Sequence, residues 1–124
     1  MATVKYFEDL RVFKEARELT NLVFDATVKP PFSKDYSFVD QVRRSALSIV
    51  SNIAEGFERE TRSEFARSLY IARGSCGELR AQFLIAMDRK YVSGEQHARI
   101  SAACRKLSIS IWKLIRYLKS PRND

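Results

Sequence analysis

Four stretches of this chain carry apolar residues that step alternately by three and four positions, the spacing that holds side chains on one face of an α-helix. The first stretch is Val12, Ala16, Leu19, Val23, Ala26, and the second is Val39, Val42, Ala46, Ile49, Ile53. The third is longer, Phe65, Leu69, Ala72, Cys76, Leu79, Phe83, Ala86, and the fourth is Ile100, Cys104, Leu107, Ile111, Leu114, Leu118. No alternating strand pattern of useful length competes with them. A helix with one apolar stripe must bury that stripe, and four such helices can bury theirs against one another.

The punctuation between the seams places the helix ends. The run Lys29-Pro30-Pro31-Phe32-Ser33-Lys34 stops the first helix, because proline cannot continue one. Ser37 is the expected N-cap of the second helix, and Gly56 the glycine that ends it in a left-handed turn. Thr61 with Glu64, and Ser93 with Gln96, have the spacing of capping boxes. Pro121 closes the fourth helix. The helices are therefore expected over about residues 10–27, 38–55, 62–91 and 94–119. Only about two residues then join the last two, so they fold back as an antiparallel hairpin. Gly74 and Gly77 lie inside the third helix, where each costs about 1 kcal/mol relative to alanine. A close backbone approach there would explain them. The expected fold class is all-α, an antiparallel up-down four-helix bundle forming one domain over residues 1–124.

With 124 residues there is chain enough for one core, and with 4 glycines and 3 prolines there is little material for turn-rich architectures. The N-terminus has no apolar signal-peptide core, and no apolar run approaches the ~18 residues of a membrane span. Cys76 and Cys104 have no metal-ligand spacing, so they read as reduced, buried thiols of a cytoplasmic protein. Apolar residues also lie off the seams: Leu10, Phe13, Leu22, Phe24, then Ile71, Leu84, Ile85, Met87, then Ile109, Trp112 and Ile115. A monomer of this size is not expected to hide them all, which points to self-association.

Little in the chain looks catalytic. Glu55 and Glu78 would make an acid–base pair only if the fold brought them together. A bundle di-metal site needs E-x-x-H spacings, and the single histidine, His97, has no glutamate three residues before it. Cys76 and His97 read as a core thiol and a surface imidazole rather than nucleophile and base. The run Arg73-Gly74-Ser75-Cys76-Gly77 sits mid-helix, where backbone amides are already bonded and cannot cradle phosphate. No enzyme activity, cofactor or metal is expected.

Two other patterns carry more. Gln41, Ser45, Ser48, Asn52 and Glu55 form a polar ridge on the second helix, and Ser75, Glu78 and Gln82 form another on the third. These are read as an inter-helix hydrogen-bond network or a pocket wall. The net charge is +7, and residues 94–124 carry seven basic groups against Glu95 and Asp124. On the fourth helix Arg105, Trp112 and Arg116 share one face with Lys119 nearby, while Arg99, Lys106 and Lys113 follow another. Arginine beside an aromatic ring binds phosphate and stacks bases, so nucleic acid is one reading. The other is that the charge is incidental and Trp112 packs at a subunit interface.

Several short strings together resemble a known family. They are Phe7-Glu8-Asp9-Leu10, then Gln41-Val42-Arg43-Arg44-Ser45-Ala46 with Ser48-Ile49, then Asn52-Ile53-Ala54-Glu55-Gly56. Ser63-Glu64-Phe65, Ala72, Gly74-Ser75 and Glu78-Leu79 follow in the third helix. The chain resembles the four-helix-bundle proteins encoded by intervening sequences within bacterial large-subunit ribosomal RNA genes, from Phe7 to about Leu118. Phe13 departs from the pattern, in which tryptophan is common. The resemblance implies an up-down bundle assembled as a homopentamer, with no accepted enzymatic activity and a possible role near RNA or nucleoprotein. It also implies that Gln41, Arg44, Asn52, Glu55, Gly56 and Glu78 are a structural polar motif rather than a catalytic one. A purely structural or protein-binding scaffold is the competing expectation.

Overall fold

The computed structural model describes residues 4–121, so Arg122 and Asp124, which contribute to the C-terminal charge, lie outside the described residues. It contains α1 (Arg11–Ala26), α2 (Tyr36–Glu58), α3 (Arg62–Asp88) and α4 (Gly94–Lys119), with single 3-10 turns at Phe7–Asp9 and Phe32–Lys34. The described residues contain no strand. α2 packs along α3 and α3 along α4, while α1 closes the square against α2 and α4. The fold is the all-α four-helix bundle that the seams predict. Among the described residues, no helix is long and apolar enough to cross a membrane.

The seams are the core. Ile49, Ile53, Leu79, Phe83, Leu107 and Ile111 are fully buried. Each such side chain contributes roughly 1.5–3 kcal/mol through removal from water. The fourth seam drifts at its end: Ile115 is buried, whereas Leu114 and Leu118 are only partly covered. The phase of a straight helix moves against a strict heptad, and this shift is its consequence. Leu10 also joins the core, and Phe13, Leu22 and Met87 pack against it from the side.

The helix ends depart from the sequence reading in instructive ways. Asp35, not Ser37, caps α2: its Oδ1 accepts from the Phe38 amide at 3.2 Å. Its Oδ2 accepts from the Tyr91 hydroxyl at 2.8 Å, which ties the α1–α2 connection to the α3–α4 connection. Between these connections Phe32 is fully buried, its ring 5.0 Å from Tyr91, 5.6 Å from Phe38 and 6.0 Å from Phe83. A residue from a proline-bounded turn thus plugs one end of the bundle. α4 carries the full capping box, with Gln96 Oε1 accepting from the Ser93 amide at 2.9 Å and Ser93 Oγ accepting from the Gln96 amide at 3.0 Å. At α3 only half of the box forms. Thr61 Oγ1 accepts from the Glu64 amide at 3.1 Å, but the Glu64 carboxylate takes the Thr61 hydroxyl rather than a backbone donor.

α3 stops at Asp88, three residues before the sequence reading ends it. Lys90 adopts a left-handed φ of 61°. The Tyr91 amide donates to the Ala86 carbonyl at 2.8 Å and the Lys90 amide to the Met87 carbonyl at 2.9 Å. This is the double-bond pattern of a Schellman ending, with lysine at the position glycine usually takes.

Candidate nucleic-acid interface

The functional side chains sort by which flank of α3 they stand on. Toward α2, the helices approach closely. Gly56 is not a helix terminator: α2 runs on to Glu58, and Gly56 is buried inside it. None of the described glycines has a positive φ. A Cβ on Gly56 would lie 2.7 Å from Ser68 Cβ and 2.9 Å from a Phe65 ring carbon, so glycine is there to let α3 pass. Farther along the same seam, the Ser48 and Ser75 hydroxyls share a hydrogen bond at 3.0 Å. Asn52 Nδ2 donates to the Ser48 carbonyl at 2.9 Å and to the Ser48 hydroxyl at 3.2 Å. Asn52 therefore joins the inter-helix contact through Ser48.

The rest of the expected polar motif does not close into one network. Arg44 pairs with Asp40 at 2.9 Å on the exposed side of α2. Gln41 is exposed and contributes its carbonyl, which accepts from Ser45 Oγ at 3.2 Å. Glu55 and Glu78 are both exposed and form no ion pair among the described residues. Glu55 lines a cavity of about 300 Å³ with Asn52, Arg59, Glu64, Arg67 and Ile71, beside Ser68. Glu78 stands ten residues past Ser68 on α3, about 15 Å at 1.5 Å per residue, so the two carboxylates do not share a site. Ile71, Glu78 and Ile85 step by sevens along this flank, and both isoleucines are 51% exposed.

Toward α4, the character changes. A cleft of about 330 Å³ opens between the helices, lined by Tyr70, Arg73, Gly74, Gly77, Arg80 and Ser108. Gly74 and Gly77 make no close approach within the chain, against the sequence expectation: a Cβ at either would meet nothing within 4 Å. Arg73 and Arg80 line the cleft, and further cations stand on α4. Arg73 Nε donates to Ser108 Oγ at 3.2 Å, and an Arg105 guanidinium nitrogen donates to Ser101 Oγ at 2.9 Å. Lys119 Nζ lies 5.5 Å from the Tyr70 ring centre, and the Arg116 guanidinium lies 4.8 Å from that of Trp112. None of Arg73, Arg80, Arg105, Arg116 and Lys119 has a carboxylate partner among the described residues. Arg73, Arg80 and Tyr70 escape a reading that looks for the basic face on the fourth helix alone. Their signal is in the sequence, because Tyr70, Arg73, Gly77 and Arg80 step 3, 4, 3 along one ridge.

The other basic row of α4 faces α1. Lys106 Nζ is 3.6 Å from Glu15, whose carboxylate is largely buried and also has Arg11 at 3.9 Å. Lys113 borders a second cavity with Asp9, Leu10, Arg11, Leu114 and Tyr117. Arg99 is exposed, seven residues before Lys106 on the same ridge. Of the six basic residues of α4, Lys119 thus reaches α3, Lys106 and Lys113 meet α1, Arg105 and Arg116 rest against Ser101 and Trp112 of α4 itself, and Arg99 is exposed.

Cys76 forms part of the cleft floor and is itself fully buried, as is Cys104. Burial pushes both thiols from 9.0 up to about 12, so at neutral pH they are uncharged and poor nucleophiles. His97 lies seven residues, about 10 Å, along α4 from Cys104, which neighbours Cys76, so the fold does not assemble a Cys–His pair. Among the described residues no three histidine, cysteine or carboxylate side chains cluster as metal ligands would.

Comparison with known proteins agrees with this architecture. The crystal structure of a protein of unknown function from the S23 ribosomal protein family of Bacteroides thetaiotaomicron superposes with a TM-score of 0.77, covering 85% of this chain and 95% of the other. At 22% identity that likeness establishes the fold. No curated protein matches the sequence. The family model described as 23S rRNA-intervening sequence protein matches residues 8–113, nearly the whole bundle and both flanks of α3, and the chain belongs to that family.

Proposed function

We propose that this protein is a non-enzymatic, self-associating four-helix bundle that binds RNA through the α3/α4 flank. The observation that carries the reading is the cleft beside Gly74 and Gly77, lined by Tyr70, Arg73 and Arg80, with Arg105, Trp112 and Arg116 on α4 and Lys119 against the Tyr70 ring, all five cations without a carboxylate partner among the described residues. Cations left unpaired beside aromatic rings suit a ligand with phosphates and bases. The family description names 23S rRNA and no reaction, which favours RNA as the polyanion. The buried, uncharged thiols suit a reducing compartment, the cytoplasm.

Self-association rests on a different observation. Ile71 and Ile85 lie exposed on the α2 flank of α3, away from the cationic cleft, and a second copy of the chain is the occupant we assign to them. The copy number, five, follows the family resemblance. Binding of labelled, mixed-sequence RNA at low and at physiological salt tests the main reading. Affinity is expected to fall steeply as salt rises, because each phosphate contact releases counterions. Absence of binding at low salt would leave a protein-binding scaffold as the function.

A further inference from the structure

Resting on that RNA reading, we infer that the α3/α4 cleft selects single-stranded RNA, whose unpaired bases stack on Tyr70 in the cleft and on Trp112, one helical turn past Ser108 on α4. The shape of this surface favours one strand. Axes of packed helices stand about 8–10 Å apart, so the depression between two neighbours admits one strand and not a duplex. Proteins that read double-stranded RNA do so across its wide minor groove, with elements that project from the protein. Here the surface is concave, about 330 Å³, and its wall is thinned to backbone at Gly74 and Gly77.

The chemistry agrees with the shape. Tyr70 is 49% exposed and Trp112 39%, so each ring leaves a face open to a ligand. Each ring has a cation over it, Lys119 at 5.5 Å and Arg116 at 4.8 Å, so ring and phosphate-binding charge are delivered together. A base stacks favourably on any aromatic face, and a base held in a duplex has no free face to offer. Arg73 and Arg80 lie seven residues apart, about 10 Å along the cleft, and reach different phosphates of one strand. No acidic residue lines the cleft, so a cationic ligand finds no partner there.

The test uses the protein's single tryptophan, Trp112, as a probe. Labelled oligouridine and a hairpin duplex of equal phosphate count are titrated into the full-length protein, with anisotropy and tryptophan emission followed together. The expected result is at least tenfold tighter binding of oligouridine, with quenching of Trp112. Tyr70→Leu is expected to lose fivefold or more in affinity. The pair Arg73→Gln and Arg80→Gln is expected to lower affinity and to reduce the salt slope by about two contacts. The triple variant Arg99→Gln, Lys106→Gln, Lys113→Gln, off the cleft, is expected to lose less affinity for oligouridine than the Arg73 and Arg80 pair. Equal affinity for the duplex, or unquenched Trp112 at saturation, overturns the single-strand inference and leaves the RNA reading standing. Absence of binding to either RNA at low salt overturns both.

Discussion

On its α2 flank α3 meets a neighbour so closely that Gly56 has no room for a methyl group, while on its α4 flank Gly74 and Gly77 face open space. The charges differ in the same sense. The α2 flank mixes Glu55, Arg59, Glu64 and Arg67 around one cavity, whereas the α4 flank has arginines and no acid around its cleft. One helix thus supplies a seam fixed by the Ser48–Ser75 hydrogen bond and, beside its equally buried seam with α4, an outer surface that stands clear of any neighbour. Glycine marks both, for opposite reasons: backbone contact in one place and vacant volume in the other. Asn52 and Gly56 stand where two helices touch, while the cationic surface without acids lies on the other side of α3.

Alanine at the glycines separates the two flanks most sharply. Gly56→Ala forces the new methyl against Ser68 Cβ and the Phe65 ring, and overpacking of this kind costs about 1–3 kcal/mol. Urea unfolding measures it, and an unchanged midpoint would show that the helices slide apart freely. Gly74→Ala and Gly77→Ala are expected to stabilise by about 0.5–1 kcal/mol each, because alanine is the better helix former and nothing obstructs it. The same two changes narrow the cleft and are expected to weaken RNA binding, so stability and affinity move in opposite directions.

Lys90→Gly is a smaller effect, placed at the connection where the α4 flank begins. A left-handed φ of 61° is unfavourable for lysine and free for glycine, so thermal unfolding is expected to shift upward by the equivalent of about 0.5–1 kcal/mol. The floor of the cleft gives the smallest effect at neutral pH. With both thiols raised from 9.0 to about 12, iodoacetamide at pH 8 is expected to react roughly a thousandfold more slowly with folded than with urea-unfolded protein. Between pH 9 and pH 12 the unfolded chain loses thiol protons that the folded one keeps, so the thiols leave stability unchanged below about pH 9 and lower it above. Rapid labelling of Cys76 in the native state would mean the cleft floor is open.

How much of this the sequence discloses follows from what each residue answers to. The seams through Ile49, Ile53, Leu79, Phe83, Leu107 and Ile111 are legible, because burial on one helix face imposes its period directly. The Ser93–Gln96 cap is legible because capping is local chemistry. Gly56 and Lys90 mislead as a pair. The glycine looks like a helix end and is a helix crossing, while the actual left-handed ending is held by a lysine that no local rule marks. Both depend on tertiary packing. Phe32 is hidden for a similar reason, since a proline-bounded turn gives no hint that its aromatic residue fills the bundle end. The basic face is half legible: α4 alone displays Arg105, Trp112 and Arg116, but only the pairing of helices adds Tyr70, Arg73 and Arg80 and assigns Lys106 to Glu15.

We assign the two flanks of α3 separate jobs, assembly toward α2 and RNA toward α4. Molecular mass by light scattering at micromolar concentration tests this assignment most directly, on wild type, on the pair Ile71→Glu and Ile85→Glu, and on the pair Arg73→Gln and Arg80→Gln. The account predicts about five times the 14.3 kDa protomer for wild type and for the arginine variant, and a fall to the single protomer for the isoleucine variant. Wild type at one protomer, or an arginine variant that dissociates while the isoleucine variant keeps its mass, would contradict it.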